Sequence, residues 1–123
     1  METLYNGYTL DIAPGTFPLS TDSMALAEFV RLPRQARVLD LGSGCGTIGI
    51  LLCAKDSGCS VTGIELDGKA HAMSRKNCCN NTLQDRFSSI YGDFTRITEL
   101  VPSGSFDVCV SNPPYFSGGA VSR

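Results

Sequence analysis

A single histidine, His71, stands among 123 residues, and the six cysteines (Cys45, Cys53, Cys59, Cys78, Cys79, Cys109) include no Cys-x-x-Cys pair. With no second imidazole in ligand spacing and no paired-thiolate motif, no metal site is expected. The N-terminus, Met1-Glu2-Thr3-Leu4-Tyr5-Asn6-Gly7-Tyr8, lacks the basic start and apolar run of a secretory leader. The cysteines therefore read as reduced thiols, several of them filling apolar positions in strands and helices. Basic excess is missing too: 10 Lys and Arg against 12 Asp and Glu leave a net charge of −2. That excludes a nucleic-acid protein that works through its overall field. It does not exclude local contacts from Arg31, Arg34 and Arg37 or from Arg75-Lys76. No apolar stretch reaches the roughly 20 residues that span a bilayer, so no membrane association is expected and a cytoplasmic location follows by default. Repeats, heptads and low-complexity tracts are absent as well. What remains, at 42% hydrophobic residues, is one globular domain with a modest core.

What the chain does have is concentrated in two segments. Ala36-Arg37-Val38-Leu39-Asp40-Leu41 reads as a buried strand, and it runs into Gly42-Ser43-Gly44-Cys45-Gly46-Thr47. A helix follows over Ile48–Lys55. Strand, glycine loop and helix are how open α/β sheets bring backbone groups and a helix N-terminus against a ligand. Some twenty residues on, a second strand, Val61–Ile64, ends at Glu65, where a carboxylate can accept from both hydroxyls of a ribose. The other segment is Ser111-Asn112-Pro113-Pro114-Tyr115, after the apolar run Phe106–Val110. Two prolines fix φ near about −65° and remove two donors, and the first pushes Asn112 into an extended conformation. A sheet interior cannot use such a segment. It offers rigid acceptors, the Asn112 side-chain oxygen and nearby carbonyls, with an aromatic ring beyond. That suits a planar target bearing an NH₂ group, and a strand-ending turn is the plain alternative.

Gly44-Cys45-Gly46-Thr47-Ile48-Gly49 also spells the dinucleotide fingerprint G-x-G-x-x-G. That motif wants its first glycine where the strand ends, which here is Gly42. It also gives no role to Asp40, Asp93 or the proline pair.

Asp40-Leu41-Gly42-Ser43-Gly44-Cys45-Gly46 resembles motif I of the class I S-adenosylmethionine-dependent methyltransferases. Glu65 falls at that family's ribose-binding acid, and Gly92-Asp93-Phe94 resembles its adenine-contacting segment. Asn112-Pro113-Pro114-Tyr115 resembles motif IV of the members that methylate amino nitrogens. Thr16-Phe17-Pro18-Leu19-Ser20-Thr21-Asp22-Ser23-Met24-Ala25-Leu26-Ala27 is similar to a segment of the bacterial tRNA adenine-N6-methyltransferases. The resemblance implies S-adenosyl-L-methionine as cofactor, held by Asp40, Gly42, Ser43, Gly44, Gly46, Thr47, Glu65, Leu66, Asp93, Phe94 and Asn112. It implies Asn112, Pro113, Pro114 and Tyr115 as the catalytic segment and a nucleic acid, tRNA, as substrate. Protein-glutamine and DNA adenine methyltransferases share the proline-rich motif and stay open, as does an inactive cofactor-binding fragment.

Along the chain, a hairpin around Gly7 and Asp11 is expected first, then a helix over Met24–Arg31 closed by Pro33. After the second strand, Asp67 can cap a helix over Gly68–Cys79. Phe87–Tyr91 reads as a third strand, Phe94–Leu100 as a short helix and Phe106–Val110 as the fourth strand. Alternation of strand and helix implies a Rossmann-like, doubly wound parallel α/β sheet, and the family order for its four strands is 3-2-1-4. Members of the resembled family carry three further strands past motif IV, so residues 1–123 are expected to form the N-terminal part of a larger domain. On that expectation Phe106, Val108, Cys109 and Val110 lie on an exposed apolar edge through which the chain self-associates.

Overall fold

Arg37–Leu41 carries three consecutive buried residues, Val38, Leu39 and Asp40. A strand buried on both faces belongs in the middle of a parallel sheet, and this one lies there. The computed structural model describes residues 2–3, 8–10 and 26–111. Two short strands, β1 (Glu2–Thr3) and β2 (Thr9–Leu10), pair antiparallel with Glu2 opposite Leu10. A helical turn at 26–29, α1, precedes β3 (Arg37–Leu41), α2 (Thr47–Lys55), β4 (Ser60–Glu65) and α3 (Gly68–Asn80). Then come β5 (Phe87–Tyr91), a 3₁₀ turn (Phe94–Arg96), α4 (Ile97–Leu100) and β6 (Val108–Ser111).

The four central strands are parallel and lie in the order β5-β4-β3-β6. Numbered within the sheet that is 3-2-1-4, as expected. Two crossovers in one direction followed by a return past β3 make a doubly wound, Rossmann-like sheet. β3 and β4 are therefore covered, while β5 and β6 show the mixed burial of edges among the described residues.

The core explains several residues. α2 is buried all round through Ile48, Ile50, Leu51, Leu52 and Cys53, as an apolar helix with no polar stripe must be. Phe87, the first residue of β5, lies against three glycines. A Cβ on Gly49 would come within 2.7 Å of Phe87 Cζ, and Cβ atoms on Gly46 and Gly63 would sit 3.3 Å from its ring. Arg86 donates to the carbonyls of Cys59 (3.0 Å), Cys53 (3.4 Å) and Asp56, tying the end of α2 to the start of β5. All six cysteines are free thiols, with Cys45, Cys53, Cys59 and Cys78 buried. No helix among the described residues is long and apolar enough to cross a membrane.

Three expectations need correction. The helix expected to reach Arg31 stops at residue 29. The Lys55 ammonium donates to the carbonyls of Ala27 (2.9 Å), Glu28 (2.9 Å) and Val30 (3.0 Å), capping the turn from 25 residues downstream or more. The fourth strand begins at Val108, not Phe106. Arg37 holds Asp107 outside it, its backbone N–H at 2.9 Å and its guanidinium at 3.2–3.3 Å from the carboxylate. Nor is the edge a uniform apolar strip: Val110 is buried, Phe106 and Val108 are half-buried, and of the four expected residues only Cys109 is exposed. Successive side chains on a strand face opposite ways, and β6 turns Val110 inward.

Candidate active site

The loop after β3 turns through three glycines at positive φ: Gly42 (70°), Gly44 (60°) and Gly46 (91°). At Gly42 and Gly44 a Cβ would meet nothing within 4 Å, so one side of the loop is open. The rest is braced by neighbouring strands. Gly42 and Ser43 both donate to the Ile64 carbonyl, at 2.8 and 3.1 Å, and Gly46 N–H donates to Ser43 O at 3.0 Å. These N–H groups are thus used within the protein rather than offered to a ligand, which corrects the simplest glycine-loop picture. α2 starts at Thr47 with Gly46 as its N-cap and no side-chain cap. No side chain among the described residues accepts from the N–H groups of its first turn, so its positive end carries no side-chain cap.

Beneath the loop sits the least ordinary group in the molecule. Asp40 is 1% exposed, and neither carboxylate oxygen has a hydrogen-bond partner. Burial first, and the charge of Glu65 second, push its carboxyl up to about 7. The Ser43 hydroxyl is also buried without a partner. Buried polar groups left unpaired in this way cost stability, and they recur where a ligand supplies the missing partner.

β4 ends at Glu65, one residue past Ile64, which pairs with Leu41 across the sheet. Glu65 Oε1 accepts from Gly44 N–H at 2.7 Å and Oε2 from Asp67 N–H at 2.9 Å. Each oxygen keeps a further lone pair. β5 ends beside it, with Tyr91 opposite Glu65, and Gly92 N–H donates to Glu65 O at 2.9 Å. Asp93 caps the 3₁₀ turn by accepting from Thr95 N–H (2.9 Å) and Thr95 Oγ1 (2.8 Å). Those bonds hold its carboxyl below the ordinary range. Three large apolar side chains stay exposed at this end of the sheet, Leu66, Tyr91 and Phe94. Tyr91 stacks on His71 with ring centroids 5.6 Å apart, and the His71 Nδ1 lies 2.8 Å from Ser89 Oγ.

Asp40, Gly42, Ser43, Gly44, Gly46, Thr47, Glu65, Leu66, Asp93 and Phe94 therefore gather at the C-terminal end of one parallel sheet, where open α/β folds bind ligands. Asn112, Pro113, Pro114 and Tyr115 lie outside the described residues. The strand that leads to them ends at this same sheet end, with Ser111 opposite Leu41. Sequence reasoning missed Asn77, whose Nδ2 donates to Cys45 O at 2.9 Å, and Ser74, whose Oγ would lie 2.9 Å from a Cβ on Gly46. Both read as ordinary helix residues, since the loop they touch is about 30 positions away.

A family model described as "Methyltransferase small domain" matches residues 10–123. The chain belongs to that methyltransferase family. The domain is 32% identical over 106 residues to the tRNA1(Val) (adenine(37)-N6)-methyltransferase of Actinobacillus pleuropneumoniae, covering 85% of the chain and 44% of that protein. The enzyme of the same name from Bacteroides fragilis is 32% identical over 99 residues, 80% of the chain and 41% of that protein. The chain thus spans less than half the length of these curated relatives. Among solved structures, a SAM-dependent methyltransferase from Thiobacillus denitrificans in complex with S-adenosyl-L-homocysteine superposes with a TM-score of 0.64. It is 26% identical, over 85% of the chain and 41% of that one. The N-terminal domain of human METTL16 gives a TM-score of 0.68 at 21% identity, over 95% and 50%, and shares the fold.

Proposed function

We propose that this methyltransferase domain binds S-adenosyl-L-methionine and transfers its methyl group to an exocyclic amino nitrogen, N6 of adenine in tRNA. The observation that carries the reading is Asp40: a buried carboxylate with both oxygens unpaired, under an open glycine loop. The residues present fit the cofactor. An unpaired carboxylate suits the cationic methionine end, Glu65 has lone pairs left for two ribose hydroxyls, and exposed Leu66 and Phe94 suit the faces of an adenine. The names of the relatives support tRNA adenine as the acceptor, and Asn112-Pro113-Pro114-Tyr115 supports an amino nitrogen.

When bound, the cofactor supplies an electrophilic methyl group on a sulfonium. The protein's part is to position the reactants and keep water out. Asp40 faces the positive end, Glu65 holds the ribose and Asp93 takes the adenine amine. Asn112 and the Pro113 carbonyl accept from the two protons of the target NH₂ and turn its lone pair toward the methyl carbon. Tyr115 stacks on the target base, which must leave any helical stack to reach it. The chain would need no general base for the transfer, because the surplus proton on the amino nitrogen would be lost once the site reopens to water.

Nucleosides digested from tRNA, rRNA and DNA treated with the protein and methyl-labelled cofactor test the reading. Label in N6-methyladenosine from tRNA is expected. Label in DNA nucleosides, or label in none of the nucleic acids and instead in glutamine of a protein substrate treated in parallel, would replace the substrate, and tight NADH binding without S-adenosylhomocysteine binding would overturn the cofactor.

A further inference from the structure

The open glycine loop is held from behind by α3, at the peptide most able to turn over. Cys45 lies between Gly44 and Gly46, both at positive φ. Glycine on either side lets the Cys45–Gly46 peptide plane rotate at low cost. In the structure that plane is fixed at both edges. The Cys45 carbonyl accepts from Asn77 Nδ2 at 2.9 Å, and Gly46 N–H donates to Ser43 O at 3.0 Å. The Ser43–Gly44 plane, whose carbonyl takes that Gly46 N–H, is fixed in turn by Gly44 N–H on Glu65 Oε1 at 2.7 Å. Asn77 itself is 1% exposed, so its amide has little freedom to swing away.

We propose that Asn77 is a positioning residue for the cofactor. By holding the Cys45 carbonyl to the back of the loop, it keeps that oxygen off the open side and keeps Gly44 N–H directed at Glu65. The proposal rests on the cofactor reading given above. The C-cap of the same helix supplies a control. Asn81 pairs with the backbone of Thr9, accepting at 2.8 Å and donating at 2.7 Å, and so fastens the N-terminal hairpin to α3. Its side-chain bonds go to Thr9 and to the Asn77 carbonyl, not to the loop.

Asn77→Asp keeps the size of the side chain and, once ionised, replaces the donor by an oxygen that repels the carbonyl; burial raises the pKa of such a carboxyl, so the comparison is made at about pH 9. Calorimetric titration with S-adenosylhomocysteine, well below the thermal midpoint of each variant, is expected to show an affinity loss of about tenfold or more. Asn81→Ala, which also lowers the midpoint, is expected to stay within roughly twofold of the parent. Loss in both variants in proportion to their midpoints, or in neither, overturns the positioning role. If Asn77→Asp does not fold, the parent protein decides: exchange of the Asn77 side-chain amide protons should slow by about tenfold on adding S-adenosylhomocysteine, and unchanged exchange overturns the proposal. A parent that binds no S-adenosylhomocysteine sinks the cofactor reading and this proposal with it. A parent that binds it no more tightly than Asn77→Asp sinks this proposal alone.

Discussion

Burial without a partner holds the Asp40 carboxyl protonated up to about pH 7, against 3.8 for an ordinary aspartate. The folded protein therefore binds a proton that the unfolded chain has released between those values. Stability should fall as pH rises from about 4 to 7, by at most about 1.4 kcal/mol for each pH unit, and level off above. Cofactor affinity should move the other way, since a cation favours the ionised carboxylate. The charged and titratable groups near Asp40 are Glu65 on β4, which raises its pKa, and Cys109 on β6, whose thiol is pushed up by burial and then by Asp40. Titration with S-adenosylhomocysteine should show tighter binding at pH 8 than at pH 6. Asp40→Asn should bind more weakly and lose that pH dependence. Equal slopes in the two proteins would remove Asp40 from the site. Asn112→Ala tests the other half of the chemistry. Cofactor affinity should stay nearly constant while the transfer rate drops by roughly 10²-fold, as for other positioned acceptors. Unchanged turnover would leave Asn112 a turn residue. Both residues were named in the sequence through the resemblance to motifs I and IV, and Asn112 lies outside the described residues. The partnerless burial of Asp40 was not legible there, since it depends on β4 and β6 closing over both sides of β3.

Between elements, the close approaches are set by glycine against Phe87. Gly49 lies inside α2, where exchange for alanine ordinarily stabilises a helix by about 1 kcal/mol. Here the added Cβ would press into the Phe87 ring, 2.7 Å from Cζ, and the ring is fixed in the core. Overpacking of this kind costs about 1–3 kcal/mol and outweighs the propensity gain. Gly49→Ala should therefore lower the urea midpoint, and a raised midpoint would mean that Phe87 moves aside freely. Element identity was readable from the sequence: apolar runs of strand length alternate with helical stretches, and Asp67 caps α3 by accepting from Lys69 N–H at 3.1 Å. Two boundaries were not readable, because their causes are distant in sequence. Lys55 ends α1, and Arg37 holds Asp107 out of β6.

Across the whole molecule, order follows position in the sheet. β3 and β4 have strand neighbours on both sides, whereas β5, β6 and the two-residue pair β1–β2 are edges or outliers among the described residues. Amides of β3 and β4 should exchange with deuterium only through global unfolding, those of β1–β2 fastest, with β5 and β6 between. Uniform protection would contradict this layering. The net charge of −2 bears on the same scale. A polyanionic substrate, as proposed above, gains nothing from the net field of these 123 residues, which leaves local basic groups and stacking to bind it there.

The sequence by itself determined the fold class, through burial runs that alternate with helical stretches, and the resemblance to the family supplied the strand order 3-2-1-4 that the sheet adopts. Glycine spacing, a carboxylate at a strand end and a rigid proline pair marked the candidate site residues, of which those from Asp40 to Phe94 lie together at one end of the sheet. Only the tertiary structure decided how those residues are conditioned. It buried Asp40 beside Glu65 without a hydrogen-bond partner, fastened the Cys45 carbonyl to Asn77 and set Phe87 on Gly49. Burial and hydrogen bonding between residues 25 or more positions apart depend on chain packing, and no local pattern carries them.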